Sequence, residues 1–161
     1  MEYHAVVQNI RDILTKNNLW FEVFEHEPVI TSEDASRVRS GYELHQGTKA
    51  LIVRGKVSGE KKFIMVIVPG DKTFNSKKMK EVFKVSDIRF ATKDEVSEIT
   101  GGVKRGGVPP FGNLFSLPVY CDNSVFDNEK IIFNAGDRCF SIGMYSKDWK
   151  QVVNPQIGDI C

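Results

Sequence analysis

The segment from Gly101 to Gly112, GGVKRGGVPPFG, places five glycines and two prolines in twelve positions. No helix interior or central strand tolerates that density, because glycine carries a backbone-entropy cost and proline lacks an N–H. A shaped loop must therefore interrupt the chain about two-thirds of the way along. Whatever folds on either side has to pack around it.

The flanking patterns predict regular elements. Val6, Val7, Ile10, Ile13 and Leu14 recur at helical spacing within Tyr3 to Asn17. Trp20 to Glu25 alternates as a strand, and Thr31 or Ser32 can cap a short helix through Ala35 to Val38. Ala50 to Val53 and Phe63 to Val68 are β-branched runs, with Gly55 to Lys62 expected as the hairpin connection between them. Pro69-Gly70-Asp71 reads as a turn, Asn75 or Ser76 caps a basic helix over Lys77 to Phe83, and Ile88 to Ala91 is a short strand. Thr92 and Glu95 form a capping box for a helix ending at Gly101-Gly102. Beyond the loop come strands at Leu117 to Cys121, Lys130 to Asn134 and Cys139 to Met144, with a turn at Gly136-Asp137. A last helix starts near Ser146 and stops before Pro155. This order predicts one α/β domain over residues 1–161 with a mixed sheet, and leaves open whether residues 153–161 are ordered.

Composition excludes more than it selects. With 161 residues, 41% hydrophobic and 27% charged, the chain can bury a core and is not disordered. Its formal net charge of +1 gives no global footprint for nucleic acid. Charge is nevertheless local: five lysines between Asp71 and Lys84 outnumber two acids, and Lys104 and Arg105 add two more in the loop. A solvated helix face would look the same as a patch for phosphates. No apolar run approaches the ~20 residues of a bilayer span, and no signal peptide is expected. Three widely spaced cysteines suit a reducing cytoplasm, and the absence of CxxC or HExxH motifs predicts neither a metal nor a cofactor.

Few residues stand out as chemical. The glycines of the loop let a ligand approach backbone N–H groups, and its prolines stiffen the rest, so the segment could cradle a carbonyl or phosphate oxygen. A long surface turn has a similar composition. The segment matches neither a Walker A loop nor GxGxxG. Lys49 enters an apolar strand from a turn, where it either snorkels or presents its ammonium to a pocket. His26 beside Glu27 suggests acid–base work or a structural histidine, with no Ser or Cys nucleophile tied to it by sequence.

Thr31-Ser32-Glu33-Asp34-Ala35, Gly47-Thr48-Lys49-Ala50-Leu51, Gly106-Gly107-Val108-Pro109-Pro110-Phe111-Gly112, and Asn134-Ala135-Gly136 with Ser141-Ile142 occur in that order. Together they resemble the YbaK-type editing domains associated with prolyl-tRNA synthetase, over roughly residues 5 to 152. The resemblance implies a small α/β fold with a mixed, partly barrel-like sheet flanked by helices. It also implies trans-editing: hydrolysis of the ester on a mischarged tRNA, such as tRNA-Pro carrying Ala, Cys, Ser or Thr, with no metal, cofactor or covalent nucleophile. Lys49, Gly106 and Gly107 are then expected in catalysis. His26, Thr31, Thr48, Val108, Pro109, Pro110, Asn134, Ala135, Gly136 and Ser141 are expected against the substrate, and Lys77, Lys78, Lys104 and Arg105 on tRNA phosphates. The partners implied are the aminoacyl-tRNA 3′ end and an aminoacyl-tRNA synthetase, not DNA or a membrane. Some relatives carry a histidine where this chain has Asp137-Arg138-Cys139-Phe140, so the amino acid stays open. A non-catalytic module that binds charged tRNA or a synthetase, and a hydrolase of small aminoacyl esters, are the competing readings.

Overall fold

The computed structural model describes residues 2–29 and 31–161. Among the described residues, five helices, α1 (Ala5–Lys16), α2 (Ser32–Val38), α3 (Ser76–Phe83), α4 (Lys93–Thr100) and α5 (Ser146–Val153), surround eight strands. The strands are β1 (Phe21–Glu25), β2 (Thr48–Val57), β3 (Glu60–Pro69), β4 (Ser86–Phe90), β5 (Val119–Asp122), β6 (Lys130–Asp137), β7 (Phe140–Tyr145) and β8 (Gln156–Gly158). The expected single mixed sheet is divided. An antiparallel sheet runs β1-β7-β6, and a mixed one runs β4-β2-β3-β5-β8. Neither closes into a barrel, and a bridge between Gly47 and Ile132 touches the two together.

Strand β3 explains the apolar run at Phe63 to Val68. Met65 and Ile67 face one core with Ile10, Leu14, Phe111, Phe133 and Trp149. Ile64, Val66 and Val68 face a second core with Val53, Met79, Tyr120 and Ile160. A strand buried on both faces has no polar face to show, so its sequence is continuous rather than alternating.

Two boundaries differ from the sequence expectation. Strands β2 and β3 extend through most of Gly55 to Lys62, and only Ser58-Gly59 turns the hairpin. Both turn residues have positive φ, 51° and 82°, as a two-residue turn matched to strand twist requires. Gly55 is therefore a strand residue; a Cβ there would lie 2.7 Å from a Val85 methyl carbon. Likewise Gly136-Asp137 closes β6 at an irregularity in the β6–β7 register instead of forming the turn itself. The tail is ordered: β8 adds parallel to β5, and the Ile160 N–H donates to Asp122 Oδ1 at 2.9 Å.

The caps follow the sequence. Thr31 accepts from the Asp34 N–H at the start of α2, Asn75 caps α3, and Thr92 with Glu95 forms the reciprocal box on α4. Gly101 ends α4 at φ 71°, handing the chain into the glycine-rich loop.

Candidate functional site

Strand β4 pairs with β2 only over Val53 to Lys56. The earlier part of β2 has no β4 partner: β6 bridges its start at Gly47, and the edge between that bridge and Ile52 is left uncovered by β4. Hydrogen-bond parity fixes which groups face it. Gly70 N–H donates to Gly47 O at 2.6 Å, so residues 47, 49, 51 and 53 bond toward β3. Thr48, Ala50 and Ile52 turn their backbone groups the other way, and Ile52 O accepts there from the Ala91 N–H.

A cavity of about 210 Å³ lies along this edge, lined by Thr31, Ala35, Arg39, Gly47, Thr48, Lys49, Ala50, Leu51, Arg105, Gly106, Val108 and Asn134. An apolar pocket of about 250 Å³ adjoins it, sharing Ala50, Leu51, Arg105, Gly106 and Val108 and adding Ile52, Phe90, Ala91 and Val96. Three cationic residues and no Asp or Glu line the main cavity among the described residues. The N–H groups of Gly106 and Val108 have no acceptor among the described residues. Gly106 takes φ 90°, a conformation costly to any residue with a Cβ.

The loop is held from behind. Asn134 Nδ2 donates to Gly106 O at 2.6 Å, and Trp149 Nε1 donates to Pro110 O at 3.0 Å. The Gly107 N–H closes a turn onto Lys104 O, and Gly107 O accepts from the Gly136 N–H. The Arg138 guanidinium clasps Arg105 O, and Arg105 Nη2 reaches Ala91 O at 3.0 Å.

Of the residues expected from sequence, Lys49, Gly106, Thr31, Thr48, Val108, Asn134 and Arg105 meet at the cavity. The others do not line it. Gly107 belongs to the far face of the loop, beside Lys104 and Gly136. Its N–H is consumed internally on Lys104 O, whereas Val108 lines the cavity. Pro109 and Pro110 are buried anchors, and Ala135 and Ser141 are fully buried. Gly136 packs against Val6 of α1. Lys77 lies on α3 with Lys80, near the C-cap Lys84, and the Lys78 ammonium is engaged by Asp159 at 3.2 Å and Cys161 O at 2.7 Å. Lys49 leaves β2 on the face of its partner Val68, and its charge reaches the Cys161 thiol, which burial holds up at about 12.

His26 has a partner that the sequence did not reveal. Its Nδ1 is 2.8 Å from Glu27 O, a pure acceptor, so Nδ1 carries a proton. Nε2 lies 2.7 Å from Ser141 Oγ. This is Ser–His geometry, but the serine is buried among His26, Arg39 and Asn134. The pair supports the cavity floor from beneath.

Arg39 is the residue sequence reading missed. It is 5% exposed, yet lines the cavity. Its Nε donates to Ser141 Oγ at 3.0 Å and its Nη2 to Asn134 Oδ1 at 2.7 Å. It forms no ion pair among the described residues. Burial lowers its pKa to about 10, so it remains cationic at neutral pH. Standing just past a short helix, it looks in sequence like an ordinary dipole-complementing cation. No three His, Cys, Asp or Glu residues gather to hold a metal among the described residues. No described helix is long and apolar enough to cross a membrane.

Known proteins resemble this chain in sequence and in fold. The chain is 28% identical over 151 residues to the Multifunctional Ser/Thr-tRNA deacylase ProXp-y of Escherichia coli strain K12, covering 93% of this chain and 89% of that protein. It is 34% identical over 79 residues to the proline–tRNA ligase of Sulfurihydrogenibium sp., 49% of this chain but 13% of that one. A crystal structure described as a candidate trans-editing enzyme for prolyl tRNA synthetase superposes with a TM-score of 0.82 at 24% identity, covering 99% and 98% of the two chains. The model of the aminoacyl-tRNA editing domain matches residues 26–152, which include every residue lining the cavity. The chain belongs to the aminoacyl-tRNA editing domain family.

Proposed function

We propose that residues 1–161 act as one deacylase unit that hydrolyses the ester between a wrongly attached amino acid and the 3′ end of a tRNA. The observation that carries this reading is the cavity itself. It joins unpaired N–H donors on Gly106 and Val108 to a carboxylate-free, cationic lining. An ester needs little activation. Water adds to its carbonyl carbon and the carbonyl oxygen becomes an oxyanion. The oxyanion then collapses, the bond to the ribose oxygen breaks, and a proton from the added water passes to that oxygen, releasing amino acid and free tRNA. Each well-placed N–H donor contributes roughly 3 kcal/mol to that oxyanion, and holding the ester in place contributes the rest.

Lys49 and Arg105 at the rim are proposed to hold the terminal nucleotide, with Lys77 and Lys104 as weaker phosphate contacts outside the cavity. Serine and threonine are the first amino acids to test, in keeping with the name of the Escherichia coli relative and with the hydrogen-bonding groups of Thr31, Thr48 and Asn134. Alanine and cysteine follow. A prolyl-tRNA synthetase is the proposed partner system.

The test is deacylation of a panel of mischarged tRNAs by the purified protein. Turnover above buffer on at least one is expected, with sharp losses in Lys49→Ala and Gly106→Ala. Retention of charged tRNA without ester loss would replace this reading with a binding module.

A further inference from the structure

An arginine 95% removed from solvent normally has a carboxylate beside it, because an unpaired buried charge is expensive. Arg39 has none among the described residues, and its only bonds go to the neutral oxygens of Ser141 and Asn134. Those two bonds use Nε and Nη2. Nη1 makes no hydrogen bond among the described residues, and it lies 3.8 Å from the point where a Cβ on Gly47 would stand. Gly47 lines the same cavity. Nor is Nη1 sealed away, since no buried side-chain nitrogen lacks a partner among the described residues. The fold thus orients a guanidinium with two anchored nitrogens and leaves the third facing a cavity that holds no counter-charge.

We infer that Arg39 forms the floor of an anion-receiving subsite, and that the substrate supplies the negative oxygen. This rests on the deacylase reading for the source of that oxygen, which is either a phosphate of the terminal nucleotide or the oxyanion formed at the ester carbon. The two sources share one chemistry, a charged oxygen accepting from Nη1. An arginine already fixed at Nε and Nη2 loses little side-chain freedom on receiving it. Arg39 is a binding residue under the first source and a catalytic residue under the second.

The experiment compares the wild-type protein with Arg39→Met and Arg39→Lys on two substrates, an aminoacyl-tRNA and the phosphate-free aminoacyl-adenosine ester. Melting temperature is measured in parallel, with and without inorganic phosphate. Arg39→Met removes an unpaired buried charge for an apolar chain of similar length, so its Tm should equal or exceed that of the wild type. Its kcat/KM on aminoacyl-tRNA should fall at least about 30-fold, in the range lost when a charge-assisted hydrogen bond disappears. An oxyanion role shows the loss in kcat on both substrates. A phosphate role shows it in KM on tRNA alone, with phosphate raising the Tm of the wild type but not of Arg39→Met. Arg39→Lys should recover part of the loss. Kinetics within twofold of wild type on both substrates would overturn the inference, as would a Tm lowered by several degrees with activity intact below it. If the wild-type protein hydrolyses neither substrate, the deacylase reading fails by itself. The phosphate-dependent Tm then decides the subsite: a rise abolished by Arg39→Met supports it, and no rise refutes it.

Discussion

The Asn134 side-chain amide spans 28 positions of sequence to donate to the Gly106 carbonyl at 2.6 Å. At its other end Oδ1 accepts from Arg39 Nη2. One side chain therefore sets both the glycine loop and the buried guanidinium. Asn134→Asp should separate the two roles. The carboxylate would pair with Arg39 but would face the Gly106 carbonyl with no proton to donate. Thermal stability should stay level or rise, while deacylation falls by about 10- to 100-fold, as expected for a lost hydrogen bond plus a quenched charge. Steady-state kinetics beside a melting curve would show it.

Gly136→Ala should damage stability more than chemistry. Gly136 has φ 110°, and a Cβ there would lie 2.1 Å from a Val6 methyl carbon on α1. Overpacking and left-handed strain together should cost about 2–4 kcal/mol, read from the denaturant midpoint at unchanged m-value.

The acid limb of the stability curve should carry the mark of Glu95. Its carboxylate accepts from Arg89 Nη1 and Nη2 and from the Thr92 N–H, which holds its pKa down at about 2. A carboxyl depressed in the folded state stabilises above its unfolded value near 4.5 and loses that contribution as pH falls toward 2. Glu95→Gln should flatten the stability profile across that window and leave the region above pH 5 parallel to wild type. Thermal melts at stepped pH check this.

Deleting residues 156–161 should unfold the β5 edge. It removes β8, the buried Ile160 and the N–H that donates to Asp122, a carboxylate that is itself 1% exposed. Burial of Ile160 contributes about 2–3 kcal/mol, and Asp122 Oδ1, left without its donor while Oδ2 keeps Ser124, adds about 1 more. The truncated chain should show a lower Tm and faster amide exchange along β5.

Local rules carried most of the secondary structure. The caps at Thr31, Asn75 and Thr92 and the stop at Gly101 each depend on residues within one turn, so they are legible where they stand. Strand ends were harder. Gly55 and Gly136 look like turn residues, yet each is a glycine because another segment crosses too close for a Cβ. β8 escaped notice because three residues after a proline carry too little pattern. The division into two sheets depends on long-range pairing that periodicity does not encode.

At the site, the loop and Lys49 were visible through composition and family resemblance. Arg39 and the His26–Ser141 contact were not, since residues 39 and 141 are 102 positions apart and meet only when α2 settles on β7. Gly107 and Val108 differ by one position and face opposite sides of the loop, which only the turn onto Lys104 decides.

The cavity walls come from separate stretches of chain: α2 with Arg39, the open edge of β2, the glycine loop, and Asn134 on β6. Each stretch has its own anchor in the fold. A change of side chain at Thr31 or Ala35 can therefore resize one wall while the others keep their geometry. Under the proposed function, such a pocket changes the amino acid it accepts in single steps, each intermediate still folded. A lineage of these domains can diversify its substrates without having to rebuild its scaffold.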